Sequence, residues 1–344
     1  MVFSEYILKY PYTLIWKILK LFKKNKEIVF YCDDELDYIC FKNDLKYLPD
    51  VKIVAKNKKV QNDLLKYNIE SKIYPAFPDV LIMSRHSLHK FPANDIYKIG
   101  VRHGVYHFKN FIAAEKFNRF DVYFMTSKTE VEEAKQHGIK TAASCSFPKN
   151  DDLFDEECIV EYNKFRKTFD EKEILLFSAT WDKSGVSAVE KWYDKLDLLQ
   201  DKFNILVTLH PWISEEYINK IKSYKNVYFI DEKDINRYLY ISDYLVGDTS
   251  SIIGEYCCLK KPIITFRVPV KGRLVQKIVD MLEDMTYRID NFYEIEKVIE
   301  SIKSEGDKKL NIYDKYINIM YDMPLGEMGK KRAEMIKELI DKNT

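Results

Sequence analysis

At 344 residues with 46% hydrophobic content, the chain exceeds one ordinary domain and carries enough apolar material for two packed cores. A net charge of +1 excludes bulk nucleic-acid binding, because no basic excess exists to neutralise phosphates. Ten glycines and ten prolines leave no room for a long low-complexity linker, and six cysteines without a CxxC pair read as free thiols.

The first notable stretch is Tyr6–Lys26, which mixes apolar and aromatic residues with Lys17, Lys20, Lys23, Lys24 and Lys26. It lacks the run of about 20 apolar residues that a spanning helix needs and the small-residue cleavage site of a signal peptide. From Tyr12 onward, Leu14, Ile15, Ile18, Leu19 and Phe22 fall near one face of a helix, with lysines beside and after them. Such a helix suits the headgroup region of an anionic membrane, or it packs on its own domain.

Strand patterns follow at Glu27–Cys32, Val51–Ala55, Val80–Met83, Lys98–Val101 and Asp121–Thr126, with helical patterns between them. Thr126 and Ser127 cap a helix from Glu130 to His137 that stops at Gly138. Phe147–Asp151 is a polar turn, and Cys158–Thr168 a linking helix. The pattern restarts with strands at Ile174–Ser178, Asn204–Leu209 and Val227–Ile230, then a short helix at Ile235–Ile241.

Tyr244–Phe266 then reads as strand, turn, helix, strand. Tyr244–Val246 is a buried strand, and Gly247-Asp248-Thr249-Ser250-Ser251 a turn rich in capping residues. Ile252, Ile253, Tyr256, Cys257 and Leu259 carry helical spacing until Pro262 stops it, and Ile263–Phe266 is the next strand. Gly326–Asp341 is a closing helix. Two rounds of strand–helix alternation predict an α/β chain of two Rossmann-like domains facing a cleft. The expected divisions are a basic amphipathic segment at 1–26, domains at 27–165 and 166–325, and the closing helix at 326–344.

Loops after parallel strands are where such folds carry chemistry. The titratable residues at those strand ends are His103, His210 and Asp248. Histidine is the side chain best suited to move a proton near neutrality. Gly104 lets a substrate approach the backbone beside His103, and Pro211 fixes the turn that presents His210. The hydroxyl-rich turn at 248–251 suits an anion. His103 and His107 are spaced i, i+4, but Gly104 disfavours a helix and no acidic pair lies near, so no metal is expected. No GxSxG, P-loop or GxGxxG occurs.

Arg102-His103-Gly104, Ala179-Thr180-Trp181, Leu209-His210-Pro211 and Asp248-Thr249-Ser250-Ser251 occur in an order that resembles the CDP-glycerol glycerophosphotransferase family. Phe147–Asp151 is similar to its G-x-P-R-N-D turn and Lys260–Ile264 to its G-K-P-I-I entry, so the likeness spans roughly residues 98–340. The usual tyrosine of D-Y-S-S is Thr249 here, and the later acidic position is Glu255. The resemblance implies a GT-B-like transferase without metal or cofactor. It would move an alditol phosphate from a CDP-linked donor to a hydroxyl of a lipid-linked or polymer acceptor, releasing CMP.

On that likeness, His103 is the general base and His210 stabilises charge on the phosphate. Asp248, Thr249, Ser250 and Ser251 hold the diphosphate, Glu255 the ribose, and Lys149 a further phosphate contact. Arg102, Gly104 and Lys109 face the acceptor. The first domain would take the acceptor and the second the nucleotide. The enzyme would work in the cytoplasm, against the anionic inner face of the membrane. The rival readings are a GT-B glycosyltransferase using a nucleotide sugar and a non-catalytic membrane-associated scaffold.

Overall fold

The computed structural model describes residues 3–343 except Lys24, His107, Lys109, Arg273 and Met323, and only the backbone of residues 3–8. The chain divides into two compact units. The first comprises residues 1–104, 111–151 and 321–344, and the second residues 105–110 and 152–320.

The first unit is built on seven parallel strands: β1 (Ile28–Cys32), β2 (Val51–Ala55), β3 (Lys72–Ile73), β4 (Val80–Met83), β5 (Tyr97–Val101), β6 (Val122–Met125) and β7 (Ala142–Ser144). Their order is β3-β2-β1-β4-β5-β6-β7. The sequence order reverses between β1 and β4, the point where doubly wound sheets bind ligands. β4 is buried from end to end, as the unbroken apolar run Val80–Met83 dictates for a strand covered on both faces. Gly100 of β5 has no substitute, because a Cβ there would lie 2.2 Å from the Tyr123 ring on the neighbouring strand.

Helices α1 (Phe3–Phe22), α2 (Glu35–Leu45), α3 (Lys58–Leu65), α4 (Ala114–Phe117) and α5 (Lys128–Gln136) accompany this sheet. α1 starts well before Tyr12 and runs through Pro11. It is anchored by Tyr12, whose hydroxyl donates to the Ala76 carbonyl at 2.7 Å, and by Trp16, whose Nε1 donates to the Pro78 carbonyl at 2.6 Å. Lys20 pairs with Asp79 at 3.4 Å on the same face. At 100° per residue the opposite face carries Tyr10, Leu14, Ile18, Leu21 and Phe22, all exposed. The helix therefore packs on its own domain and still presents an apolar stripe.

The second unit holds six parallel strands: β8 (Ile174–Ala179), β9 (Asn204–Leu209), β10 (Val227–Phe229), β11 (Tyr244–Gly247), β12 (Ile263–Phe266) and β13 (Tyr287–Ile289). The order is β10-β9-β8-β11-β12-β13, with its reversal between β8 and β11. Its helices are α6 (Glu156–Arg166), α7 (Glu215–Lys222), α8 (Asn236–Ile241), α9 (Ile252–Cys257), α10 (Gln276–Met285), α11 (Glu294–Glu305) and α12 (Leu310–Met320). Residues 105–110 belong here: a Cβ on Gly254 of α9 would meet Val105 at 2.3 Å and Phe108 at 3.0 Å. Cys257 and Cys258 are buried, and all six cysteines are free.

The chain then returns to the first unit, where α13 (Met328–Asn343) packs along α2. Arg332 of α13 grips Asp44 of α2 through Nε and Nη2, each at 2.6 Å, with both side chains fully buried. The division after residue 151 falls before the expected 165/166, and α1 and α13 group with the first unit rather than standing apart. The doubly wound α/β class is as the alternation predicts.

Candidate functional site

In the first unit, β4 and β5 run in register with Met83 opposite Gly100, which brings the residues after the two strands together. His103 Nδ1 lies 3.2 Å from the Ser84 carbonyl. A carbonyl only accepts, so Nδ1 carries the hydrogen and Nε2 is the basic nitrogen. Desolvation by surrounding protein, then the charges of Arg102 and Arg85, push the His103 pKa down to about 4. The His103 side chain is exposed, and the positive charges of Arg102 and Arg85 beside it disfavour its protonated form. His103 is thus neutral at pH 7.

Ser84 and Arg85 are themselves held by Asp37 of α2, which sequence reasoning missed. Its buried carboxylate accepts the Ser84 hydroxyl at 2.5 Å and Arg85 Nε at 2.8 Å. It also accepts the backbone N–H groups of Asp33 and Asp34 at 2.8 and 3.0 Å, closing a capping box with Asp34 as N-cap. Burial drives the Asp37 pKa upward against the pull of Arg85. Asp33 accepts from Ser87 and lies 3.4 Å from both Lys90 and Lys56. The signal available in the sequence was the capping box that follows the first strand.

In the second unit, Ala179 of β8 pairs with Leu209 of β9, so Thr180 and His210 emerge side by side. The Trp212 backbone N–H donates to His210 Nδ1 at 3.2 Å. That partner donates only, so Nδ1 is the acceptor and Nε2 carries the hydrogen. The tautomer is the opposite of that at His103. Trp212 is exposed and meets Trp181 edge-on at 5.6 Å.

The turn after β11 divides in two. Asp248 is fully buried, and its carboxylate accepts backbone N–H groups from Thr180 at 3.0 Å, Ala188 at 3.0 Å and Thr249 at 2.5 Å. Thr249 is also buried, its hydroxyl donating to the Val186 carbonyl at 3.3 Å. Both residues shape the loops at the β8/β11 switch point, their side-chain oxygens bonded to loop backbone. Ser250 and Ser251 are half-buried, and Glu255 lies one turn further along α9 with little exposure.

The remaining candidates lie in the first unit. Arg102 pairs with the buried carboxylate of Glu130 at 3.2 Å, and Glu130 also accepts the Thr126 N–H at 2.8 Å. The pair ties the loop that bears His103 to α5. Lys149 is almost wholly buried in a turn, Phe147–Asp151, that is interior rather than a surface feature. There Asp151 caps α13 by accepting the Met328 and Gly329 N–H groups at 3.1 and 2.6 Å. Gly104 directly follows His103, while Lys109 and His107 lie outside the described residues.

The family model described as CDP-Glycerol:Poly(glycerophosphate) glycerophosphotransferase matches residues 93–338. The teichoic acid ribitol-phosphate polymerase TarK of Staphylococcus aureus is 27% identical over 222 residues, covering 55% of this chain and 42% of that protein. A teichoic acid poly(glycerol phosphate) polymerase of Bacillus spizizenii is 28% identical over 220 residues, covering 58% and 54% respectively. The chain spans about half the length of these curated relatives. A solved structure of the wall teichoic acid polymerase TagF superposes with a TM-score of 0.66 at 16% identity, covering 98% of each chain. The shared fold is GT-B-like.

Proposed function

The chain belongs to the CDP-glycerol:poly(glycerophosphate) glycerophosphotransferase family, and on that premise we propose that it transfers an alditol phosphate from a CDP-linked donor to an acceptor hydroxyl. The acceptor oxygen attacks the β-phosphorus, the bond from that phosphorus to the bridging oxygen breaks, and CMP leaves with the bridging oxygen. The hydroxyl proton passes to His103 Nε2. His210 Nε2–H donates to the negative charge that builds on the transferring phosphate. The hydroxyls of Ser250 and Ser251 hold the diphosphate in a turn that Asp248 and Thr249 keep in shape. Glu255 reaches the ribose.

The observation that carries this reading is the pair of opposite tautomers. A base needs an unprotonated Nε2, and a charge stabiliser needs an Nε2–H; the partners at 3.2 Å on each histidine favour one of each. A panel of CDP-alditols and UDP- or GDP-sugars, read by nucleotide release, tests it. CMP release with a CDP-alditol is expected, and turnover confined to nucleotide sugars would overturn it.

The place of work follows from α1. Among the described residues no helix is long and apolar enough to cross a membrane. The exposed stripe of α1 with Lys17 at its edge suits reversible seating on an anionic surface, where such a lysine contributes about 1 kcal/mol. An acceptor on a lipid carrier at the cytoplasmic face of the membrane fits that seating.

A further inference from the structure

We infer that the first unit carries an anion site at the opposite end of β5 from His103, and that it takes the phosphate of an anionic lipid headgroup. The inference rests on the seating of α1 proposed above and adds a specific contact to it; it is independent of the transfer chemistry.

A cavity of 270 Å3 opens there, with Lys9 of α1, Lys98 of β5 and Arg119 of the loop before β6 on its wall. Lys98 is the second residue of β5, and His103 comes about 16 Å further along at 3.3 Å per residue, where the strand has ended. The Lys98 ammonium has three donors, and two are engaged by the carbonyls of Ala93 and Ile96 at 3.0 and 2.8 Å. Among the described residues no carboxylate forms an ion pair with it or with Lys9. Asp121 instead accepts the Lys98 backbone N–H at 2.6 Å. Burial holds the Lys98 pKa down; Asp121 and Asp95 oppose that, and Arg119 and Lys9 add to it. Three cations thus act on one another around one recess, with two exposed carboxylates at its margin. An anion seated among them relieves that repulsion.

Three features point to a lipid as the source of the anion. The cavity wall also includes Leu88, Phe91 and Pro92, an apolar flank for which a free phosphate has no use. Its volume, about nine waters at 30 Å3 each, admits a phosphate together with the glycerol that esterifies it. The third feature is depth. Lys9, Tyr12 and Trp16 fall at i, i+3 and i+7 on the sheet-facing side of α1, opposite the exposed stripe. A helix is about 10 Å across and an interfacial one sinks about 5–10 Å, while a headgroup layer is about 5–8 Å thick. Seated on its stripe, α1 therefore holds the cavity level with the lipid phosphates.

Calorimetry on the full chain tests this with two probes, dihexanoylphosphatidylglycerol below its micellar concentration and inorganic phosphate. The wild type should bind the lipid about tenfold more tightly than the free ion, or better. Lys98→Met should weaken lipid binding about tenfold or more, as loss of a charge-assisted hydrogen bond does, and Lys9→Gln about fivefold. Should Lys98→Met not fold, Lys9→Gln decides, because Lys9 is exposed. No lipid binding by the wild type, or equal affinity in the wild type and every folded variant, would overturn the site. Inorganic phosphate binding as tightly as the lipid would overturn the lipid assignment in favour of a free anion. A monomeric lipid needs no bilayer, so the seating of α1 is read separately. Lipid bound by the wild type and weakened in the variants, without sedimentation on anionic vesicles, supports the site while the seating fails.

Discussion

Arg332 and Asp44 form a two-pronged ion pair, 2.6 Å on each arm, with no solvent exposure on either partner, although 288 residues separate them. Asp44 pays for its burial only because the guanidinium is there: desolvation drives its pKa up and Arg332 draws it back. Arg332→Met should therefore destabilise the protein by about 3–5 kcal/mol in urea unfolding, since it leaves a buried charge unpaired. The Asp44→Leu/Arg332→Met double variant should recover most of that loss.

The opposite tautomers separate the two histidines experimentally. His103→Ala and His103→Gln should both lower kcat by roughly 10²-fold or more, because neither side chain takes a proton. His210→Ala should cost as much, whereas His210→Gln retains an N–H donor and should keep a measurable part of the rate. Steady-state CMP release reads all four, and equal losses in the two His210 variants would remove the donor role.

The pH profile follows from the His103 environment. Its pKa of about 4 lies below the ordinary 6.5, and the proposed base works in its neutral form. Activity is therefore lost as pH falls through the lower value, placing the acidic limb of kcat/KM near pH 4. Arg85 contributes to the lowering, so Arg85→Gln should move that limb upward. A wild-type limb at 6.5 or above would show that the guanidiniums do not govern this histidine.

Asp248 and the serines beside it should part company. Asp248→Ala leaves three backbone N–H groups without their acceptor and should cost about 3 kcal/mol or more of stability. Ser250→Ala and Ser251→Ala should leave the melting temperature within a degree or two and weaken CMP binding, as calorimetry would show. A serine variant that melts early but binds CMP normally would reverse the assignment.

Removing α1 outright is a poor probe of the membrane, because Trp16 and Tyr12 belong to the core. The sharper variant replaces only the outward face: Leu14, Ile18, Leu21 and Phe22 to serine. Co-sedimentation with anionic vesicles should fall several-fold while unfolding is unchanged, and salt should weaken the wild type's binding. Equal sedimentation of both proteins would make the stripe irrelevant to membranes.

The apolar strands were legible because each is a continuous run of Val, Ile, Leu and aromatic residues; Val80–Met83 and Asn204–Leu209 stand where the pattern puts them. β3, β7 and β13 were not, since two or three residues such as Lys72-Ile73 or Ala142–Ser144 carry no periodicity. α10, α11 and α12 also went unread. At the site, His103 and His210 could be picked out as titratable groups closing strands. Asp248 and Thr249 were legible as cap-forming residues, but composition does not say whether such a side chain turns outward to a ligand or inward to its own loop. Asp37 offered only the capping box after β1 and Arg85 no signal, because the two meet only when β1 and β4, some fifty residues apart, lie side by side.

The four chain passages between units, after residues 104, 110, 151 and 320, bear on how the molecule is made. The unit that begins synthesis first cannot finish first: α2 has left the ribosome long before α13 supplies the arginine for Asp44. The second unit, nearly contiguous from 152 to 320, is free to fold while the first still waits with an unmatched buried acid. A nascent chain stalled just before residue 328 should therefore resist protease over its middle and yield at its beginning, and release of the last helix should protect both.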